Sequence, residues 1–201
     1  MENKLELRLY GLVPYNISPI QQGIQFGHAA VRYSRLIEKL YEKHPDSQQV
    51  TDMKNKYIDW ADNWETFIIL NGGTTNKELG NDLQPIGTLN QHMETLKRNG
   101  IPIGSMYEPD LGNQLTAVVF VVDERVFNKK DYPDFREYVE TKLNDKEFES
   151  IVENYGKYFT FNDLSHSTDI QLLETSKEWR DMVGGDKNVF LKEFLEGFRL
   201  A

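Results

Sequence analysis

The segment that most constrains the fold is SPIQQGIQFGHAAVRY, residues 18–33, which predicts a long amphipathic helix. Ser18 is a favourable N-cap and Pro19 suits the first helical position, so the helix is expected to begin there. At 3.6 residues per turn, one polar stripe forms along this helix, and it contains Gln21, Gln25, His28 and Arg32. Such a helix can pack on a sheet and present a polar edge to a cleft.

Two further stripes run along the same helix. The stripe of small residues contains Gly23, Gly27 and Ala30. Because Gly costs roughly 1 kcal/mol relative to Ala inside a helix, this stripe predicts that another backbone approaches closely. The apolar stripe, which we predict to be the buried face, contains Ile20, Ile24 and Val31.

Hydrophobic patterning predicts an alternation of strands and helices up to Arg125. The predicted strands are residues 4–13, 64–70, 101–106 and 115–122, and the predicted helices are residues 18–42, 48–62 and 84–98. The short apolar strand 64–70 is predicted to be central, and Asn71-Gly72-Gly73 after it is typical of a loop, with a ligand site as the alternative. Only the last connection is short enough for an antiparallel neighbour, so we predict an α/β three-layer sandwich with a small mixed four-stranded sheet.

After Arg125 the pattern predicts helices without strands, at residues 132–143, 145–155, 168–183 and 187–199. We therefore expect a first domain over residues 1–125 and a helical extension over 126–201 that packs on it. The last helix has an apolar face of Phe190, Leu191, Phe194, Leu195 and Phe198. This face is expected to dock on the core, and binding of a partner is the alternative.

Two motifs resemble the class II peptidyl-tRNA hydrolase family over about residues 4–123. The helix run Gln25-Phe26-Gly27-His28-Ala29-Ala30 is similar to the family's helix motif, and residues 107–117, YEPDLGNQLTA, resemble the strand-loop-strand that closes the site in bacterial and viral relatives. The resemblance implies hydrolysis of the ester between a peptide and tRNA, and a homodimer. The family's helix Lys is replaced here by Gln21, which puts catalysis in doubt.

The reaction needs a positioned water, a proton acceptor and donors for the oxyanion. In our hypothesis Asp110 accepts the proton of the water, with Glu108 as the alternate. Gln25 and His28 hold the carbonyl or the leaving hydroxyl of the substrate. The predicted substrate-binding residues are Gln21, Arg32, Asn113, Gln114 and Thr116.

Each of these residues also has a structural interpretation. Ser18-x-x-Gln21 is a capping box, and a single His on a helix is commonly structural. The link that contains Glu108 and Asp110 can be a surface turn, since Asp, Gly and Asn are turn formers. His44 and His92 are expected to be exposed, and a Ser/His nucleophilic pair at His166 has no partner motif.

Composition limits the remaining possibilities. The net charge of -9 opposes non-specific binding to nucleic acid, so tRNA binding requires a local basic patch. There is no Cys, which excludes disulfides and thiolate chemistry, and neither a metal nor a cofactor is predicted.

No stretch approaches the roughly 20 apolar residues of a membrane span, so we expect a cytoplasmic protein, or one in the host cytoplasm if it is viral, without a membrane partner. The alternatives to an enzyme are an inactive binding module of the same fold, with a nucleotide, RNA or protein ligand, and a viral protein that interacts with its host.

Overall fold

The computed structural model describes residues 4–75 and 87–201, and its strands form a mixed four-stranded sheet, as predicted. The strands are β1 (Leu7–Val13), β2 (Thr66–Asn71), β3 (Gly104–Glu108) and β4 (Gln114–Asp123). Their order in the sheet is β2-β1-β4-β3. β1 pairs parallel with β2 and antiparallel with β4, and β3 pairs antiparallel with β4.

Helices cover both faces of this sheet, which gives the three layers. The helices are α1 (Pro19–Lys43) and α2 (Gln48–Asn63) on one face and α3 (Thr88–Arg98) on the other. Side chains alternate across β1 and β4, so Leu9 and Val119 join the core under α1 and α2 while their neighbours face α3. The predicted start of the third helix, residues 84–86 with Ile86, lies outside the described residues.

The prediction that residues 64–70 form a central strand is wrong. β2 lies at one end of the four-strand order, and Phe67 is 53% exposed. The other side of β2 meets the C-terminus of the chain: Asn71 N–H donates to the Arg199 carbonyl at 2.9 Å and Ala201 N–H donates to the Ile69 carbonyl at 3.0 Å. An apolar run identifies a strand, but its place in the sheet depends on pairing partners that the run does not encode.

The predicted buried face of α1 is also wrong. Ile20, Ile24 and Val31 are 77%, 49% and 64% exposed. The face that meets the sheet contains Gln25, Phe26, Ala29, Tyr33 and Ile37. The helix carries two apolar stripes, and the one with the larger aromatic residues packs against the core, since aromatic rings bury more area.

The close approach of backbones that was predicted at the helix glycines occurs elsewhere. A Cβ at Gly23 or Gly27 would meet no described atom within 4 Å. In contrast, a Cβ at Gly104 of β3 would lie 2.7 Å from the Ala29 carbonyl oxygen and 2.9 Å from the Tyr33 Cα. The glycine that admits α1 therefore belongs to the strand and not to the helix.

The chain divides into two compact units. The first unit comprises Met1–Asp123 with Gly197–Ala201, and the second unit comprises Glu124–Glu196. The helices of the second unit are α4 (Glu124–Phe127), α5 (Phe135–Lys142), α6 (Asp145–Tyr155), α7 (Phe161–Leu164), α8 (Ile170–Met182) and α9 (Asp186–Leu195). They surround their own core, in which Phe135 and Trp179 are buried. The predicted packing of the extension on the first domain stays a prediction.

The last predicted helix, residues 187–199, is shorter than expected. α9 ends at Leu195, so Phe198 lies beyond the helix and its ring contacts the His92 ring with 4.8 Å between centroids. His92 was expected to be exposed, but it is half-buried. Across the described residues, no helix is long and apolar enough to span a membrane.

Candidate functional site

Gln25 joins the two motifs on which the functional hypothesis depends. Its side chain is 8% exposed, and its Nε2 donates a hydrogen bond to Glu108 Oε2 at 2.8 Å. Thr116, which is fully buried, donates from Oγ1 to Gln25 Oε1 at 2.9 Å. We call this group the Gln25–Glu108–Thr116 cluster; it links α1 to both strands that flank the predicted closing loop.

The link between β3 and β4 has a defined conformation. Pro109 begins a 3₁₀ turn, Pro109–Leu111, and Glu108 occupies its N-cap, where Oε1 accepts a bond from the Asp110 amide at 3.5 Å. Gly112 and Asn113 follow with φ of 67° and 60°, a region that Gly and Asn tolerate well. The turn-forming residues thus do form a tight turn, and that turn holds Glu108 beside α1.

The other candidate residues are open to solvent. His28, Arg32, Asp110 and Asn113 are exposed, and Gln114 is half-buried. The imidazole of His28 is therefore accessible to a ligand. Of the predicted stripe on α1, only Gln25 is buried, because it lies at the margin of the face that packs on the sheet.

Gln21 was predicted either to bind substrate or to form a capping box, and the structure shows the capping box. The Gln21 amide donates to Ser18 Oγ at 3.3 Å, and the Ser18 amide donates to Gln21 Oε1 at 3.2 Å. Both halves of the capping box are therefore present, and the side chain is engaged at the start of α1.

Sequence reasoning missed a second group of polar side chains, in the second unit. A cavity of about 180 Å³ is lined by Arg136, Trp179, Lys192, Glu193 and Glu196, among others. These residues come from α5, α8 and the C-terminal end of α9, so no single local motif could have indicated the whole group. No described group of three or more His, Asp or Glu side chains could hold a metal ion.

The fold and the cluster define a three-layer α/β protein with a buried amide held between a carboxylate and a hydroxyl. Comparisons of the chain with protein-family models, with curated proteins and with solved structures give no match. Function is therefore argued from the residues themselves.

Proposed function

We propose that the protein hydrolyses the ester that joins a peptide to the ribose of tRNA, as its resemblance to class II peptidyl-tRNA hydrolases implies. The observation that carries this proposal is the 2.8 Å hydrogen bond from Gln25 to Glu108. It joins the helix motif to the strand-loop-strand motif, as a shared site requires. The two motifs are 83 residues apart in the chain, so their contact does not follow from local structure.

The geometry favours one division of roles between the two carboxylates. Glu108 is committed to the Gln25 amide and to its own turn, so it acts as a positioning residue. Asp110 is exposed and takes the role of the base that activates water. His28 is also exposed and lies one turn beyond Gln25, and we assign to it contact with the carbonyl oxygen or the leaving hydroxyl.

An acidic protein needs a local basic surface to bind tRNA, and α1 offers one. Its exposed basic residues are Arg32, Arg35, Lys39 and Lys43. Their spacing of three and four residues places them in one stripe that continues the line of His28. Arg35 is partly neutralised by Glu38 at 2.8 Å, which leaves Arg32, Lys39 and Lys43 as the candidates for phosphate contacts.

The homodimer that the resemblance implies would use the exposed apolar stripe of α1. Two antiparallel copies of this helix that cross at Gly27 set Ile24 against Ala30 and Val31 against Gly23, so large side chains face small ones. Such shape complementarity is what a helix interface requires. Light scattering should give the mass of a dimer for the parent protein and the mass of a monomer for Ile24→Glu. A monomeric parent protein would contradict the proposed homodimer.

The second candidate function is a binding module that has lost catalysis. The observation in its favour is Gln21, which stands where the family has a catalytic Lys and whose side chain is used in the capping box. Loss of a charge that stabilises a transition state commonly costs several powers of ten in rate. This candidate predicts binding of a peptidyl-tRNA without turnover.

The test is turnover of peptidyl-tRNA by the purified chain and by Asp110→Asn and His28→Ala. We expect each variant to lose at least about a hundredfold in kcat, in the range typical of acid-base residues. The matched controls are Asp62→Asn and His44→Ala, two exposed residues of the first unit, and both should keep full activity. Full activity in Asp110→Asn and His28→Ala would remove both residues from the mechanism, and binding without turnover by the parent would favour the second candidate.

A further inference from the structure

The cavity of the second unit has an aromatic wall. It has a volume of about 180 Å³, and Phe135, Phe159 and Trp179 form its buried side with exposed fractions of 6%, 4% and 1%. The Phe161 ring continues this wall, with its centroid 5.5 Å from that of Trp179. This volume is below the roughly 300–1,000 Å³ of pockets for drug-sized ligands, so the occupant must be small.

Arg136 supplies the first polar element of the cavity. Its Nε is shielded from water and has no hydrogen-bond partner among the described residues. The guanidinium carbon lies 5.4 Å from the centre of the Phe148 ring, which restrains the side chain. The Arg136 guanidinium forms no salt bridge in the described part of the chain, and a guanidinium is well suited to a carboxylate. Because its Nε is shielded, an anionic group in the cavity would pair with the Nη groups of Arg136.

Lys192 does not add a second anion site, because its ammonium group is already used. Its Nζ donates to the Tyr132 carbonyl at 2.8 Å and to Asp134 Oδ1 at 3.2 Å. Burial lowers the pKa of Lys192, and Asp134 opposes that shift. The Lys192 side chain is therefore a part of the cavity wall.

Two further carboxylates line the same cavity, Glu193 and Glu196. Neither forms a salt bridge with a residue in the described part of the chain. Burial raises the pKa of Glu193, although a hydrogen bond with the Phe161 backbone opposes the shift. A cation beside these side chains would stabilise their charged form, so the cavity also offers a site for an ammonium group.

We propose that this cavity binds a free amino acid with an apolar or aromatic side chain. The ligand carboxylate pairs with Arg136, its ammonium group lies beside Glu193 and Glu196, and its side chain packs on the wall of Phe135, Phe161 and Trp179. A simple organic anion would be repelled by two carboxylates, and a simple cation would leave the Arg136 guanidinium without an anion. A zwitterion satisfies both ends of the cavity.

The first test is calorimetric titration of the full chain with L-phenylalanine. Two analogues of similar size serve as controls: phenethylamine, which lacks the carboxylate, and 3-phenylpropionate, which lacks the ammonium group. We expect L-phenylalanine to bind at least about tenfold more tightly than either analogue, which corresponds to about 1.4 kcal/mol. No measurable binding of L-phenylalanine at millimolar concentration, or equal binding of all three compounds, would overturn the proposal.

The second test uses variants of the charged residues. Arg136→Met should weaken binding of L-phenylalanine by at least about tenfold and should not weaken binding of phenethylamine, because only the first ligand has a carboxylate for Arg136. Arg180→Met is the matched control, since Arg180 is a half-buried residue of α8 that pairs with Asp181 and Asp186. Glu196→Gln keeps the shape of its side chain and should weaken binding of L-phenylalanine, whereas binding of 3-phenylpropionate should not weaken, because one repelling carboxylate is removed. If Arg136→Met does not fold, the Glu196→Gln result decides, and unchanged L-phenylalanine affinity in that variant contradicts the proposal.

Discussion

Thr116 is the buried end of the Gln25–Glu108–Thr116 cluster, and its hydroxyl has two acceptors within reach. It donates to Gln25 Oε1 at 2.9 Å and lies 3.3 Å from the Met106 carbonyl oxygen. Thr116→Val keeps the shape and removes this donor, so we expect a loss of about 1–3 kcal/mol in the free energy of unfolding. Urea denaturation measures it. Thr95→Val is the control, because the Thr95 hydroxyl donates to the Gln91 carbonyl on the solvent side of α3, and equal losses in both variants would contradict a special role for Thr116.

Two glycines give opposite expectations for the same substitution. Gly104→Ala places a Cβ 2.7 Å from the Ala29 carbonyl oxygen, so we expect a destabilisation of about 1–3 kcal/mol. Gly23→Ala meets no described atom within 4 Å and gains helix propensity, so in the Ile24→Glu background, which lacks the proposed dimer contact at Gly23, it should stabilise by about 1 kcal/mol. Thermal unfolding of both variants measures the difference. A shift of the same sign in both would mean that α1 does not rest on β3 as described.

At the residue scale, sequence patterns predicted local hydrogen bonds better than they predicted packing. The capping box at Gln21 follows from local spacing, so a motif can predict it. The hydrogen bond between Gln25 and Glu108 depends on tertiary structure, and only the resemblance indicated that these residues belong together. Ile24 looked like a core residue because a helical wheel defines faces but does not identify the face that meets a sheet.

At the element scale, α1 has three distinct faces: one on the sheet, one apolar and exposed, and one basic. The type and order of the longer elements were predictable, because strands and helices differ in hydrophobic period, whereas the four-residue helices α4 and α7 are too short to show one. The bounds of β4, Gln114–Asp123, exceed the prediction by one residue at each end. The position of β2 at the end of the four-strand order was not predictable, because pairing across a sheet leaves no local signal.

The basic face of α1 gives a prediction about salt. If Lys39 and Lys43 each contact a phosphate, the double variant Lys39→Gln/Lys43→Gln should reduce the slope of log affinity for tRNA against log salt concentration by about 2. Filter binding over a range of salt concentrations measures the slope. Lys97→Gln is the control, since Lys97 pairs with Glu94 on α3. An unchanged slope in the double variant would exclude this face as the path of the phosphates.

At the scale of the whole molecule, the chain end completes the first unit. Ala201 N–H donates to the Ile69 carbonyl at 3.0 Å, so the last residue extends the sheet beside β2. Ala201→Pro removes this donor and should cost about 0.5–1.5 kcal/mol, whereas Ala201→Gly keeps the N–H and should remain close to the parent. Urea denaturation followed by circular dichroism measures both. Equal stability of the two variants would mean that the terminal hydrogen bond is unimportant.

The same segment makes the stability of the first unit depend on pH. Phe198 contacts His92, and burial lowers the pKa of His92 below its ordinary value of 6.5. The unfolded imidazole binds a proton near pH 6.5 and the folded one only at lower pH, so the unfolded state holds more protons in that interval. The contribution of His92 to the free energy of unfolding is therefore fully present above about pH 6.5 and is lost as the pH falls toward the pKa of the folded state.

Two variants separate this effect from other titrations. His92→Gln removes the titrating group, and Phe198→Ala uncovers it, so both should flatten the change in unfolding free energy between about pH 7 and pH 5. His44→Gln, at an exposed position, should retain the parent's pH dependence. If Phe198→Ala kept the full dependence while His92→Gln lost it, the cause would be α3 itself, and the chain end would have no part in the response of the first unit to acid.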